Sequence, residues 1–152
     1  MLEKGISDIY TKAKIHFYKE MFGRIRTREA SLSTVEMFCV EVIDALDEPT
    51  IAEFSNFINV SSPNAAYKVN SLIKKGYVEK VQSTEDKREY HLRLTDKYRD
   101  YYQLHQKYID LVASRARERF TKEEVSELER MLDIISDELM ADIGLPIKEK
   151  SH

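Results

Sequence analysis

Apolar side chains recur every three or four positions in six stretches of the chain, which is the spacing of one face of an α-helix. The stretches span residues 6–25, 35–46, 51–58, 66–73, 98–116 and 125–143. Hydroxyl side chains precede four of them, where their oxygens can accept bonds from the first unpaired backbone N–H groups of a helix. We therefore predict six helices, with N-caps at Ser31 or Ser33, at Ser61 and Ser62, at Thr95 and at Thr121.

Between the fourth and fifth stretches the period of the pattern changes to two. YVEKVQ and REYHLRLT alternate apolar and polar side chains, as strands with one buried face do, and a charged segment around residues 83–88 separates them. The fourth helix is expected to end at Lys74-Lys75-Gly76, with basic side chains near the negative end of the helix dipole and a glycine after it. These signals predict a mainly α protein with one small β-hairpin, an α+β fold.

The chain has 152 residues, of which 42% are hydrophobic and 34% charged. This length predicts one domain that can bury a core, and this composition excludes a disordered or fibrous protein. With one cysteine, no disulfide can form within the chain. No apolar run approaches the roughly 18 residues of a membrane span, and the first residues lack the apolar core of a signal peptide. We therefore expect a cytoplasmic protein.

The net charge of −3 argues against a nucleic-acid-binding protein until its distribution is considered. Residues 1–28 carry a charge of +4, residues 29–60 carry −7, residues 61–99 carry +4 and residues 100–152 carry −4. An acidic block that is followed directly by a basic one predicts a local anion-binding surface in the basic segment. The acidic residues of 36–53 are interpreted as a solvated helix surface that faces away from phosphate.

The order helix, helix, short helix, turn, helix, hairpin is that of a winged helix-turn-helix. In such a fold the short third helix supports the fourth, whose amino-terminal end can enter a major groove of DNA. The tip of the hairpin, the wing, reaches the neighbouring minor groove or the phosphate backbone. Both elements lie within the basic segment 61–99, so the order of elements and the charge distribution indicate the same surface.

Several features of residues 50–95 form a recognisable set: the helix-turn-helix followed by Leu72, Lys75, Gly76 and Tyr77, the wing motif Asp86-Lys87-Arg88, and the pair Leu94-Thr95. With these features the segment resembles the MarR family of bacterial transcription regulators. One departure from the family pattern is Lys97-Tyr98, where the family has a lysine-glycine pair, and it is expected to affect the start of the fifth helix and not DNA reading.

The resemblance implies a single MarR-like domain over 1–152, with a winged helix-turn-helix DNA-binding lobe at 31–95 and dimerisation helices at 1–28 and 97–145. It implies a homodimer that binds a pseudo-palindromic operator in double-stranded DNA, as a ligand-responsive repressor. The alternative is a winged-helix module that binds another protein through its acidic second helix and does not read DNA. The sequence shows no catalytic constellation and no phosphate-binding loop, so we expect neither an enzyme nor a cofactor.

Candidate DNA contacts lie on the polar face of the fourth helix and in the wing. Asparagine pairs with adenine, lysine with guanine or phosphate, serine with several bases, and a proline or tyrosine ring packs on a thymine methyl. In the wing, Arg88 is the candidate for a narrow minor groove, Asp86 orients it by a charge-assisted pair, and Lys87 contacts the backbone. The competing interpretation is a solvated helix face and an ordinary polar hairpin tip. The candidates on the helix are Ser61, Ser62, Pro63, Asn64, Tyr67, Lys68, Ser71 and Lys74.

A small-molecule effector is expected to bind a pocket lined by residues of several helices. SLSTVEMFCVEVID and YHLRLT are similar to the fatty-acid-synthesis repressors of Gram-positive bacteria, which implies an acyl effector, with an aromatic effector as the alternative. Cys39 is interpreted as a small buried hydrophobe and not an oxidant sensor, because no basic residue lies between Arg28 and Lys68. The four histidines are scattered, so no metal site is expected. The candidate pocket residues are His16, Phe38, Cys39, Tyr101 and His105.

Overall fold

The computed structural model describes residues 1–26 and 32–146, with their side chains except those of 24–26 and 100–105. Helix α1 (Leu2–Arg26) belongs to one compact unit, Met1–Ser33, and the rest of the chain forms a second, Thr34–His152. All six predicted helices and the hairpin are present, which confirms a mainly helical winged fold. The second unit contains helices α2 (Thr34–Leu46), α3 (Ile51–Phe57) and α4 (Ser62–Lys74), strands β1 (Val78–Gln82) and β2 (Tyr90–Leu94), and helices α5 (Asp96–Arg119) and α6 (Lys122–Ile134).

The core of the winged lobe is formed by α2, α3, α4 and the hairpin. On α4 the buried face begins at Ala65, one residue earlier than the expected Ala66. Burial of large apolar side chains supplies most of the free energy that holds such a lobe together. The largest fully buried side chains are Val40, Ile43, Phe54, Val69, Leu72, Tyr77, Val78 and Leu92.

Helices α3, α4 and α6 each begin at a residue whose side chain caps the helix. Ser61 accepts a bond from the Asn64 N–H at 3.4 Å, and Thr121 accepts one from the Glu124 N–H at 3.2 Å, as predicted. Thr50 and Glu53 cap α3 reciprocally, with 3.1 Å from the Glu53 N–H to the Thr50 hydroxyl and 2.7 Å from the Thr50 N–H to the Glu53 carboxylate. Helix α2 begins directly after Ser33, and the alternative cap Ser31 lies outside the described residues.

Helix α4 ends in a Schellman motif at the predicted Gly76. The Gly76 N–H bonds the Ile73 carbonyl and the Tyr77 N–H bonds the Leu72 carbonyl, each at 3.0 Å. This geometry requires the left-handed backbone of Gly76, whose φ is +80°. It brings the buried Tyr77 back against the helix and starts β1, so the wing is joined to α4 by a short, well-defined connection.

Replacing Gly76 by alanine is expected to lower the free energy of unfolding by about 1–2 kcal/mol, because an L side chain disfavours the left-handed region. The new Cβ would lie 3.8 Å from Cδ of Lys97, an ordinary contact, so no steric clash adds to this effect. Urea unfolding measures it. The control is Gly5→Ala in α1, where the added methyl meets open space and the stability should be unchanged or slightly higher. Equal effects of the two substitutions would contradict the assignment.

The hairpin pairs β1 and β2 antiparallel, with Val78 opposite Leu94 and Gln82 opposite Tyr90. A short extension was not predicted from the sequence: Thr50 forms an isolated bridge with His91, and the Leu92 N–H bonds the Pro49 carbonyl at 2.8 Å. The turn before this bridge places Asp47 and Glu48 at left-handed φ values of 58° and 57°. Strand β2 is therefore fixed to the turn between α2 and α3 as well as to β1.

Helix α5 begins after Thr95, as predicted, but the Thr95 side chain does not make the predicted cap bond. Thr95 occupies the N-cap position but makes no side-chain cap bond; its hydroxyl donates to the Gly76 carbonyl at 2.5 Å. Lys97 donates to the Lys75 carbonyl at 2.8 Å and lies over the Tyr77 ring at 4.5 Å. Tyr98, at the position of the departure from the family pattern, is buried. These contacts tie the start of α5 to the junction of α4 and β1.

The last helical segment differs from its prediction as one continuous helix. Helix α6 ends at Ile134 and continues as a π-helical turn, Ile135–Leu139, and a 3-10 turn, Ala141–Ile143. Its apolar stripe is not buried within the single chain, since no residue of α6 is buried and Leu132 is 53% exposed. None of the described helices is long and apolar enough to span a membrane.

Candidate nucleic-acid interface

The amino-terminal half of α4 presents an exposed polar face. Ser62, Pro63 and Asn64 are exposed in the first turn, and Tyr67 is 78% exposed one turn later. The Ser61 hydroxyl oxygen accepts a bond from the Asn64 N–H and so caps the helix. For its predicted DNA contact, Ser61 keeps the hydroxyl proton and the second lone pair of this oxygen. The first N–H groups of a helix attract anions, and these side chains carry the donors and acceptors that read base edges.

Lys68 and Lys74 supply positive charge along α4. Lys74 is exposed in the last turn, and Lys68 is partly buried in the middle of the helix.

Lys68 lies near enough to Cys39 of α2 to act on its thiol electrostatically, although the two residues are far apart in the sequence. Burial raises the pKa of the Cys39 thiol, and the positive charge of Lys68 opposes this only in part. Cys39 is thus a buried thiol, as predicted, on the side of α2 that faces α4.

The carboxylate of Glu36, in the first turn of α2, binds Ser71 of α4 and Lys75, the C-cap residue of the same helix. The Ser71 hydroxyl donates to one oxygen at 2.6 Å, and the Lys75 ammonium donates to the other at 2.7 Å. The Glu36 side chain is 12% exposed and that of Lys75 33%, so this pair is partly shielded from water. The hydroxyl proton of Ser71, a predicted DNA contact, is therefore directed to α2 and not to the exposed face of α4.

The wing tip holds Arg88 in a defined orientation. The Arg88 guanidinium donates Nε to Oδ1 and Nη2 to Oδ2 of Asp86, both at 3.1 Å, and the Arg88 backbone N–H donates to Oδ1 at 3.0 Å. These bonds hold the pKa of Asp86 below its ordinary value, so Asp86 stays charged. The Arg88 side chain is 90% exposed, and only part of the five N–H donors of its guanidinium is used.

The loop around Arg88 is closed by its own hydrogen bonds. The Gln82 amide donates to the Lys87 carbonyl at 2.6 Å, and the Ser83 hydroxyl accepts from the N–H groups of Glu85 and Asp86 at 3.2 and 3.3 Å. The side chain of Lys87 is exposed. These bonds fix the backbone of the hairpin tip, and the pair with Asp86 fixes the direction of the Arg88 side chain.

The base of the wing contains a contact that the sequence did not predict. Arg93 of β2 donates Nε to the Glu48 carboxylate at 2.5 Å and Nη2 at 3.3 Å, while the Glu48 carbonyl lies 2.8 Å from Nδ1 of His91. The hydrogen bond from Arg93 lowers the pKa of Glu48. The partners lie 43 and 45 positions apart, so no local pattern could have shown them.

The residues predicted to line an effector pocket are distributed over both compact units. His16 belongs to the unit of α1, while Phe38, which is half-exposed, and the buried Cys39 lie on α2. The side chains of Tyr101 and His105 lie outside those described. Over the described residues, no group of three or more histidine, cysteine, aspartate or glutamate side chains could hold a metal ion.

Part of the chain matches a family model, and most of the chain is similar in fold to solved structures. The family model described as the MarR family matches residues 32–90. No curated protein sequence matches the chain. Streptococcus pneumoniae FabT, solved in complex with DNA, is 24% identical over 90% of this chain and 96% of its own, with a TM-score of 0.52.

Two further solved structures show the same fold at lower identity. A MarR transcriptional regulator from Methanosarcina mazei Go1 is 17% identical, with 91% of this chain and 96% of that chain covered and a TM-score of 0.54. A MarR-like transcriptional regulator from Thermotoga maritima is 17% identical, with coverage of 83% and 96% and a TM-score of 0.53. The likeness therefore extends beyond the matched segment to most of the chain.

Proposed function

We propose that the chain is a transcription regulator that binds double-stranded DNA of specific sequence through α4 and the wing. The match of residues 32–90 to the MarR family model supports this proposal. The observation that carries this proposal is the combination of an exposed polar face on α4 with an Arg88 held at the wing tip by Asp86. The structure of FabT with DNA supports it by likeness of fold.

In the proposed complex, the amino-terminal half of α4 lies in the major groove. Asn64 can form two hydrogen bonds with an adenine, and the exposed ring of Tyr67 can pack on a thymine methyl. Lys68 and Lys74 are assigned to phosphate or guanine. We do not assign Ser71 to a base, because its hydroxyl donates to the Glu36 carboxylate. Its proposed role is to support the position of α4.

The wing is proposed to reach the adjacent minor groove. Its negative potential attracts a guanidinium, and Asp86 keeps Arg88 extended before DNA arrives, so less side-chain entropy is lost on binding. Lys87 is assigned to the phosphate backbone. These roles require Arg88 to use the donors that Asp86 leaves available.

The proposed regulator is a homodimer. Apolar side chains remain exposed on α1, including Ile6, Ile9 and Tyr10, and on α6, including Leu132, and a second copy of the chain would cover them. A two-fold dimer implies a pseudo-palindromic operator with half-sites roughly 34–36 Å apart. We assign it the action of a repressor that an acyl or aromatic effector releases, because an effector that favours a dimer with displaced α4 helices weakens DNA binding by linkage.

The alternative, a module that binds a protein through an acidic α2, is less well supported. Glu36 and Glu48, at the two ends of that acidic segment, bind Lys75 and Arg93 within the lobe. Their charge is therefore not available as a bare acidic surface.

A salt titration of binding to duplex genomic fragments, including the DNA upstream of the chain's own gene, tests the proposal. The association constant should fall steeply with salt, and Arg88→Ala should weaken binding about tenfold or more and reduce the log–log salt slope by roughly one. Arg130→Ala is the matched control, since Arg130 is an exposed arginine in a similar two-bond pair with Glu127. Absence of binding to every fragment, or equal effects of both substitutions, would reject the proposal.

A further inference from the structure

We propose that Glu36 and Glu48, at the start of α2 and just after its end, are positioning residues that set the placement of α4 and the wing for DNA binding. This inference rests on the proposed function. It assigns a role to two of the acidic residues of the block 29–60, whose members between 36 and 53 were interpreted from the sequence as a solvated helix surface. Neither carboxylate is expected to touch DNA; each acts through a residue of an element that does.

Glu36 holds the carboxyl-terminal half of α4. Its two oxygens are bound by Ser71 of α4 and by the C-cap residue Lys75, one helical turn later, at 2.6 and 2.7 Å. Two bonds to residues one turn apart restrain both the rotation of α4 about its axis and its sliding along α2. Rotation matters because the side chains that would meet base edges, Asn64 and Tyr67, lie on the same rigid helix.

Glu48 holds the wing at its base. The carboxylate binds Arg93, the carbonyl of the same residue lies 2.8 Å from His91, and the next carbonyl, of Pro49, accepts the Leu92 N–H at 2.8 Å. Three successive residues of β2 are therefore attached to one turn. Because Glu48 sits at φ 57° after Asp47 at 58°, this turn has an uncommon backbone shape that the surrounding bonds maintain.

Together the two carboxylates, one at the start of α2 and one in the turn after its end, restrain both proposed contact elements. The wing is also joined to α4 directly, through the Schellman motif and the Thr95–Gly76 bond, so its base is held from two sides. Loss of the bonds of either carboxylate would leave the core intact, but α4 or the wing would then occupy a broader range of positions. DNA would then have to select a smaller fraction of the population, which lowers affinity.

The sign of the effect separates this role from simple electrostatics. Removing a negative charge from a DNA-binding lobe should strengthen binding, and it would also release Lys75 or Arg93 toward phosphate. The proposal predicts the opposite: Glu36→Gln and Glu48→Gln should each weaken binding, by roughly 3- to 30-fold. Glu85→Gln removes the same charge from the wing loop, where the side chain is exposed, and is the matched control. It should leave affinity unchanged or raise it.

The experiment measures duplex affinity and its salt slope for the full-length wild type, the three glutamine variants, Arg93→Gln and the double variant Glu48→Gln/Arg93→Gln. Each variant is first checked by thermal unfolding, where a shift below about 5 °C is expected for partly exposed pairs. The double variant should bind no more weakly than the weaker single variant, and the salt slopes should match that of the wild type, because no phosphate contact is lost.

Tighter binding of Glu48→Gln and Glu36→Gln, or unchanged binding of both, would overturn the inference while leaving the proposed function intact. A salt slope that falls by about one in Arg93→Gln would show instead that Arg93 contacts phosphate directly. Failure of the wild type to bind any duplex would reject the proposed function itself, so the two failures are distinguishable.

Discussion

Replacing Phe54 by alanine is expected to destabilise the winged lobe by about 3–5 kcal/mol, which is a large part of the stability of a typical domain. Phe54 is 0% exposed at the centre of α3, among the fully buried side chains of α2, α4 and β2. The substitution removes a ring from a closely packed region that relaxes only in part, so the loss of burial and the cavity both contribute.

Equilibrium unfolding in urea, at one protein concentration, measures this change. The control is Phe57→Ala on the same helix, because Phe57 is 36% exposed and its loss should destabilise by only about 1 kcal/mol. The two variants share the same change in helix propensity, so the difference between them reports burial. A difference smaller than about 1 kcal/mol would contradict the placement of Phe54 in the core.

Introducing glutamate in place of Leu132 is expected to weaken self-association about 100-fold or more, if α6 contributes to the proposed dimer. A buried leucine stabilises by roughly 1.5–3 kcal/mol, and a two-fold interface loses two of them while gaining two charges. Sedimentation at a series of protein concentrations measures the dissociation constant. DNA affinity should fall with it, because a single lobe lacks the second half-site contact.

Ser126→Glu is the control for this prediction, since Ser126 is an exposed residue of α6 on the side away from the apolar stripe and receives the same charge. It should leave the dissociation constant within a few-fold of the wild type. A wild-type chain that remains monomeric at micromolar concentration, or a Leu132→Glu variant that associates as well as the wild type, would exclude α6 from a dimer interface.

Local signals predicted most of the fold. Caps at Ser61 and Thr121, the glycine at the end of α4 and the change of period at Tyr77 depend on residues that are neighbours in the chain, so they can be read without the tertiary structure. The wing motif likewise placed Asp86 beside Arg88, two positions away. The residue types of the proposed contact face on α4 were also available from the sequence.

Longer-range features could not be predicted in this way. Glu36 lies 35 and 39 positions from its partners, and Glu48 lies 45 positions from Arg93, so the acidic segment looked like a solvated surface. Thr95 looked like an ordinary cap, but its hydroxyl bonds Gly76 because α5 starts against the end of α4. The stripe on α6 showed that a face is apolar, while its exposure depends on what covers it.

The sequence by itself determined the elements, their order and the chemistry of the α4 face and the wing tip, because helical period, caps, turns and charge all act over a few residues. Only the tertiary structure decided which charges pair across long distances in the chain and which side chains face outward. Pairing of Glu36 with Lys75 and of Glu48 with Arg93 requires segments that packing of the core brings together. The same packing turns Ser71 toward α2 and leaves Arg88 exposed at the tip of the wing.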